Sequence, residues 1–334
     1  MRFFTIRTFY VLLFLLALLS CKKTDITEPV KIEGLAFGTA YHITYYNDNQ
    51  TDFTKSIDSL FNLINNSMST YINTSDISKI NAGDTTVVVD DYFKEVFKKS
   101  SRIYEETDGS FDPTIGMLVN AWGFGPKKAL KQLDTAKVEQ LMKLVGFNKV
   151  KLHNGKIKKL NDSIYFDFNA IAKGFAVDVA GRFLEAKHTE NYLIEIGGEI
   201  RSRGINLSKN RPWKVGIENP NFDGTRSIEK VVELSNQAMA SSGNYRKFKI
   251  DTITGEKYAH IINPKTGYPS RNNLLSVSVI TNLDCADADA YATAMMTMSL
   301  KNAKIFLKDK NQLKVFIIYS DKNGEIKTFK TSNF

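Results

Sequence analysis

The sequence predicts a mixed α+β protein, and three observations carry that expectation. Stretches with apolar residues three and four apart recur along the chain, separated by short runs of β-branched and aromatic residues. Asn-Gly pairs at 154–155 and 323–324 stand between such runs, as hairpin turns do. The 334 residues are 43% hydrophobic and 24% charged, with only seven prolines, the balance of a folded chain long enough for a sizeable core.

The first residues form a separate unit. Arg2 and Arg7 flank an apolar run over 9–19 that is short for a bilayer span. Leu18-Leu19-Ser20-Cys21 resembles the cleavage site of a bacterial lipoprotein signal. The resemblance implies removal of 1–20, acylation of Cys21, a lipid-anchored tether over 21–31, and a folded region over 32–334 facing the periplasm. Without 1–20 the chain keeps 43 basic and 36 acidic residues, a net charge of +7. That balance suits an anionic ligand or membrane surface. The basic residues are scattered and accompany no nucleic-acid motif, so nucleic acid is not expected as a partner. Cys285 is then the one remaining thiol, which excludes an intrachain disulfide. No Cys/His cluster has zinc-site spacing.

A strand is expected over 32–46, with Phe37-Gly38-Thr39 inside it, the glycine allowing close approach of a ligand or another backbone. Phe53, Ile57, Leu60, Phe61 and Ile64 have helical spacing. A loop with Tyr71 follows, then a short helix near 77–80 and a longer one over 91–106 that begins with acids, as the helix dipole favours. Asp108-Gly109 turns the chain into Ser110-Phe111-Asp112-Pro113-Thr114-Ile115-Gly116, where Pro113 and Thr114 suit a helix start and Asp112 its cap. The loop Trp122-Gly123-Phe124-Gly125-Pro126 reads equally as a stacking platform for a ligand ring and as a glycine-rich loop pinned by buried aromatics. A helix over 135–145 ends at Gly146, and strands over 149–152 and 156–160 form a hairpin.

A β-rich run over 163–168 leads into the stretch Asp167 to Asp178, DFNAIAKGFAVD. It opens a helix whose Ile171, Phe175, Val179 and Phe183 share a buried face, with Asn169 placed to cap it. A helix start is a place for an anion, and Lys173 adds a positive charge there. Alone, the stretch favours the commoner reading, a capped amphipathic helix with a surface lysine. A strand over 192–196 runs into Gly197-Gly198-Glu199-Ile200, and the neighbouring Arg201 and Arg203 can serve a phosphate or solvate a sheet edge. Strands over 213–218 and 228–234 come next. Met239-Ala240-Ser241-Ser242-Gly243-Asn244 leads through a further hairpin to Tyr258-Ala259-His260-Ile261-Ile262-Asn263-Pro264, which sets His260 just before a Pro/Gly-rich turn. In Ala286-Asp287-Ala288-Asp289-Ala290-Tyr291-Ala292-Thr293, Asp289 and Thr293 lie on one helical face and suit a hard cation such as Mg²⁺. The competing reading is a core helix in which Asp289 pairs with a lysine. A helix near 302–308 and a hairpin of 313–319 with 325–329 close the chain.

Taken in this order, the Phe111-to-Gly116 block with Trp122-Gly123-Phe124, the DFNAIAKGFAVD stretch, Ile196-Gly197-Gly198-Glu199, the Ser-Ser-Gly-Asn-Tyr and His-Ile-Ile-Asn-Pro blocks and Ala-Asp-Ala-Tyr-Ala-Thr resemble the ApbE family of flavin transferases. The resemblance implies a T-fold-like α+β architecture of two subdomains with FAD between them. It implies Mg²⁺-dependent transfer of the FMN moiety of FAD to a Thr or Ser hydroxyl in a Ser/Thr-rich motif of a membrane redox protein, with release of AMP. It places the Ala170 carbonyl, Asp289 and Thr293 on Mg²⁺. It places Tyr71, Ser110, Phe111, Asp112, Asp167, Lys173 and His260 on FAD, with His260 as the base. Two departures stand out: Phe37 where many members have Met, and Asn263 where many have Asp. An FAD pyrophosphatase yielding FMN and AMP stays open as an alternative, as does a non-catalytic FAD-binding lipoprotein, although storage needs no base.

Overall fold

The computed structural model describes residues 28–130, 133–221, 223, 225–244, 248–250 and 257–334. The expected signal segment, Cys21 and most of the tether lie outside these residues.

Eight strands form one antiparallel sheet: β1 (Val30–Ala36), β2 (Thr39–Tyr46), β5 (Asn191–Ile196), β6 (Glu199–Arg203), β9 (Ala238–Gly243), β12 (Leu274–Thr281), β13 (Leu313–Ser320) and β14 (Ile326–Lys330), in the spatial order β1-β2-β5-β6-β9-β12-β13-β14. Three hairpins stand apart from it, β3 (Val150–His153) with β4 (Lys156–Lys159), β7 (Trp213–Glu218) with β8 (Ile228–Leu234), and β10 (Phe248–Ile250) with β11 (Lys257–Ala259). The helices are α1 (Thr54–Met68), α2 (Asp76–Asn81), α3 (Asp91–Glu106), α4 (Gly116–Ala121), α5 (Thr135–Met142), α6 (Ala172–Ala186), α7 (Cys285–Met296) and α8 (Leu300–Phe306).

Alternation along the strands decides what each face of the sheet buries. Val277 and Val279 of β12 and Val315 and Ile317 of β13 join the main core with residues of α1, α3, α6 and α7. Ile280, Phe316 and Ile318, on the opposite face, pack with Val215, Ile217 and Leu234 of the β7–β8 hairpin. A third, smaller core gathers Leu118, Ala121, Val138, Leu141 and Val145 around Ile262. The central helix α7 is buried nearly all round, and its small residues allow close neighbours.

Several local expectations are corrected. The strand expected over 32–46 is the β1–β2 hairpin, in which Phe37 and Gly38 take positive φ values of 52° and 76°. Gly38 serves the turn: a Cβ there would meet nothing within 4 Å. The run over 163–168 makes a single parallel bridge, Ile115 with Tyr165, rather than a strand. The helix expected from Pro113 starts at Gly116, because the Asp112 carboxylate spends itself on the backbone N–H and hydroxyl of Thr114. Asn169 does not cap α6, whose cap position is Ile171; the Asn169 N–H donates to Asp167 Oδ1 instead (2.8 Å). Arg201 neither serves a ligand nor solvates an edge, since it is paired with Asp178, Glu185 and Asp284. Strands β6 and β12 had no sequence expectation at all. β12 reads Leu-Leu-Ser-Val-Ser-Val-Ile-Thr, which alternates over 276–279, yet the serines are buried as well as the valines because the strand is covered on both faces.

Candidate active site

Two helices and a hairpin bring one charged cluster together. Lys173 lies in the first turn of α6, and Asp289 one turn into α7. Asp289 Oδ2 accepts the Gly174 N–H at 3.1 Å, so a carboxylate occupies the positive end of α6. The approach needs a glycine, because a Cβ on residue 174 would lie 2.5 Å from the Cys285 carbonyl oxygen. Gly197 and Gly198, with φ of 59° and 103°, turn β5 back into β6 and set Glu199 at its first position. Glu199 Oε1 is 2.5 Å from Lys173 Nζ. Thr293, one turn along α7 from Asp289, shares a hydrogen bond of 3.0 Å with Ser242 at the end of β9.

The electrostatics of this cluster are unbalanced. Burial pulls the Lys173 ammonium down, but Glu199 and Asp289 outweigh it and the net direction is up. Burial pushes the Glu199 carboxyl up to about 7, against Lys173 and with Asp289. Burial likewise raises Asp289, against Lys173 and the Gly174 N–H. Two buried carboxylates thus share one ammonium. Glu199 Oε2 is buried without a hydrogen-bond partner. A further positive charge would satisfy the site, and its donors are all hard oxygens, so the residues fit Mg²⁺. Among the described residues there is no group of three or more His, Cys, Asp or Glu that could hold a metal, so the protein contribution to such an ion is sparse.

Of the other expected residues, Ser110, Phe111, Asp112 and Asp167 are buried and Tyr71 is exposed. Ala170 is in the turn just before α6. Asp167 is buried, its N–H donates to the Pro113 carbonyl (2.8 Å), and burial raises its carboxyl against the Asn169 amides. Tyr71 is 61% exposed, and its phenol is held up by burial and by the charge of Asp167. Its hydroxyl faces the Phe124 carbonyl at 3.5 Å. Ser110 is buried and its carbonyl accepts from the Thr297 hydroxyl at 3.1 Å, while Phe111 is part of the main core. Burial pushes the Asp112 carboxyl up to about 6 in spite of its bonds to Thr114.

His260 follows β11 directly and lies 6.4 Å, ring to ring, from Phe124. The Trp122-Gly123-Phe124 loop is pinned by Trp122 Nε1 donating to the Gly267 carbonyl (2.8 Å) and by Tyr258 and Tyr268 against the indole. Asn263, the departure noted above, donates its amide to the Thr297 carbonyl at 3.0 Å. An aspartate could not make that bond, so Asn263 ties the His260 loop to the end of α7. Phe37 sits edge-on against Phe61 at 5.3 Å.

Glu199, Ser242 and Thr297 were not among the residues expected in the site. The signal for Glu199 was present in Gly197-Gly198, a two-residue turn that delivers the next side chain to a fixed place. Ser242 lies in the Ser-Ser-Gly-Asn-Tyr block, and Thr297 continues the four-residue spacing of Asp289 and Thr293 at the end of α7, so both had a local signal as well.

The described architecture and site can be set beside known proteins. The ApbE family matches residues 37–317. The FAD:protein FMN transferase of Haemophilus influenzae is 35% identical over 92% of this chain and 91% of its own length. That of Vibrio cholerae is also 35% identical, over 96% of this chain and 95% of its own. The solved structure of the flavin transferase ApbE from Vibrio cholerae superimposes with a TM-score of 0.80 at 32% identity, covering 92% of this chain and 98% of that one. With matching helices and sheets and a family match over most of its length, this chain belongs to the ApbE family.

Proposed function

We propose that this chain is an FAD:protein FMN transferase that moves the FMN moiety of FAD onto a Thr or Ser hydroxyl of an acceptor protein and releases AMP. The observation that carries the reading is the Lys173–Glu199–Asp289 cluster at the α6–α7 crossing, set within a family match over 37–317. Lys173 faces the pyrophosphate, and Glu199 keeps it charged and fixed. Asp289, Thr293 and the Ala170 carbonyl would hold Mg²⁺. When bound, that ion supplies positive charge against the phosphate oxygens as the P–O bond to AMP breaks. Tyr71, Ser110, Phe111, Asp112 and Asp167 receive the flavin and adenine parts.

His260 takes the proton of the acceptor hydroxyl as its oxygen attacks the FMN phosphorus, and the AMP phosphate leaves with the bonding pair. The acceptor is a membrane redox subunit with a Ser/Thr-rich motif. The chain is anchored at the periplasmic face through Cys21, which supports encounter with such a partner. Cys21→Ser should release the protein into the soluble fraction, and continued labelling of that variant by a fatty-acid probe would refute the anchor.

The test of the activity is incubation of the full chain in detergent with FAD, Mg²⁺ and an acceptor peptide bearing the Ser/Thr motif. Mass spectrometry follows the acceptor and chromatography follows AMP and FMN. The expected result is one FMN gained per acceptor with matching AMP. Free FMN and AMP with an unmodified acceptor would identify a pyrophosphatase, and intact FAD would identify a carrier.

A further inference from the structure

Helices α6 and α7 cap each other. Asp178, in the second turn of α6, has no exposed surface. Its Oδ1 accepts the Cys285 N–H and its Oδ2 the Ala286 N–H, both at 2.9 Å. These are the donors that the first turn of a helix leaves without partners. Four residues nearer the start of α6 the relation reverses, and Asp289 of α7 accepts the Gly174 N–H. The crossing is antiparallel, with 174 opposite 289 and 178 opposite 285, and Gly174 lets the Cys285 carbonyl come in close.

Residue 284 holds the cap position of α7 and is an aspartate, a good capping type, yet its side chain makes no cap bond. It turns away to Lys99 (2.6 Å) and Arg201 (3.2 Å). Capping of α7 is thereby handed from its own chain to another helix. Arg201 of β6 donates to Asp178 Oδ1 at 2.8 Å and braces the arrangement from the sheet. A buried carboxylate with two amides and a guanidinium on it has one place to sit.

We infer that Asp178 is a positioning residue of this site: through the Cys285 and Ala286 amides it fixes the register of α7 on α6, and so where Asp289 and Thr293 stand relative to Lys173. The inference rests on the reading of Asp289 and Thr293 as cation holders. The simpler alternative is a core residue that contributes stability only.

The two differ in a measurement on the full chain with Asp178→Asn, which keeps the shape but offers one acceptor oxygen where two amides need one each. Mn²⁺ affinity would be read by paramagnetic resonance, and alkylation of the buried Cys285 by N-ethylmaleimide with peptide mapping, both well below the melting temperature. The expected result is Mn²⁺ binding weaker by about tenfold, as for outer partners of metal ligands, with Cys285 alkylated faster by at least about the same factor. In the transfer assay kcat should fall while the KM for FAD stays within about twofold. Gly174→Ala should give the same pattern, since it forces the crossing apart from the other side, and it serves if Asp178→Asn does not fold. A lower melting temperature with unchanged Mn²⁺ affinity would overturn the inference, as would faster alkylation alone or a wild-type chain that binds no Mn²⁺. A wild-type chain that binds Mn²⁺ but transfers no flavin would sink the proposed activity and leave this inference to be decided by the affinities.

Discussion

At the α6–α7 crossing, charged side chains are held by backbone. Asp289 and Asp178 each bond to amides of the facing helix, and Lys173 is fixed by Glu199 from the first residue of a strand. Around His260 the supports are rings and turns: Phe124 against the imidazole, Tyr258 and Tyr268 against Trp122, and one bond from the indole to Gly267. In the first region hydrogen bonds and ion pairs from two facing helices and a strand fix the charged groups, and in the second packed rings hold a loop. Helix α7 joins them, because Thr297 at its end donates to the Ser110 carbonyl and its own carbonyl accepts from Asn263.

Breaking the rigid half should have the largest effect. Asp289→Ala removes the carboxylate from the start of α6 and a proposed cation ligand together. Turnover in the Mg²⁺ assay should drop by roughly 10³-fold or more, the equivalent of the several kcal/mol such an ion supplies. Activity within tenfold of wild type would remove Asp289 from the cation site. Breaking the loop half should separate chemistry from binding. His260→Ala should slow transfer by roughly 10²–10⁴-fold, the usual contribution of a positioned base. FAD affinity, followed by flavin fluorescence, should stay within a few-fold. Equal losses in both would make His260 a binding residue and blur the distinction between the two halves.

The difference between the regions also explains what could be read in advance. The shared helical face of Asp289 and Thr293 was legible from their spacing, and the helix that carries Lys173 from the apolar repeat of Ile171, Phe175, Val179 and Phe183. The hairpins at Asn154-Gly155 and Asn323-Gly324 were legible for the same reason: both glycines take the positive φ that the turn demands. Strand β12 does carry a local signal, the alternation Ser276-Val277-Ser278-Val279, but burial on both faces leaves that alternation no inside and outside to mark. Phe37-Gly38 was misread because no Asn or Asp marks the turn and β-formers flank it on both sides. Most telling is the capping. Asn169 and Asp112 are good capping types in plausible places, yet neither caps the helix that follows it, α6 or α4, while α6 and α7 receive their caps from Asp289 and Asp178 on each other. The bonds of Asp178 and Asp289 run between residues more than a hundred positions apart, where local pattern carries no information.

A smaller effect sharpens the comparison at Asp112, a carboxylate buried just before α4. Its Oδ1 accepts both the N–H and the hydroxyl of Thr114 (2.8 and 2.6 Å), and Thr114 in turn accepts the Gly146 N–H at 2.7 Å. An asparagine keeps these bonds through its own Oδ1. What it loses is the ionisable group, which burial holds up to about 6 against Thr114, the Phe147 amide and Lys149. The sign follows from proton linkage. The folded chain binds this proton more tightly than the unfolded one, so the carboxyl favours folding least where it must ionise. Stability from this group is greatest below about pH 4, falls as pH rises toward 6, and levels off above that. The swing is about 3 kcal/mol for a shift of roughly two pH units. Asp112→Asn turns a donor toward the Phe147 amide and gives back about 1 kcal/mol. The variant should therefore be less stable than wild type by about 1 kcal/mol at pH 4 and more stable by about 2 kcal/mol at pH 7.5. Urea unfolding at both pH values measures the difference, and a gap that does not change with pH would show that Asp112 is solvated like the loop half of the site rather than enclosed like the helical half.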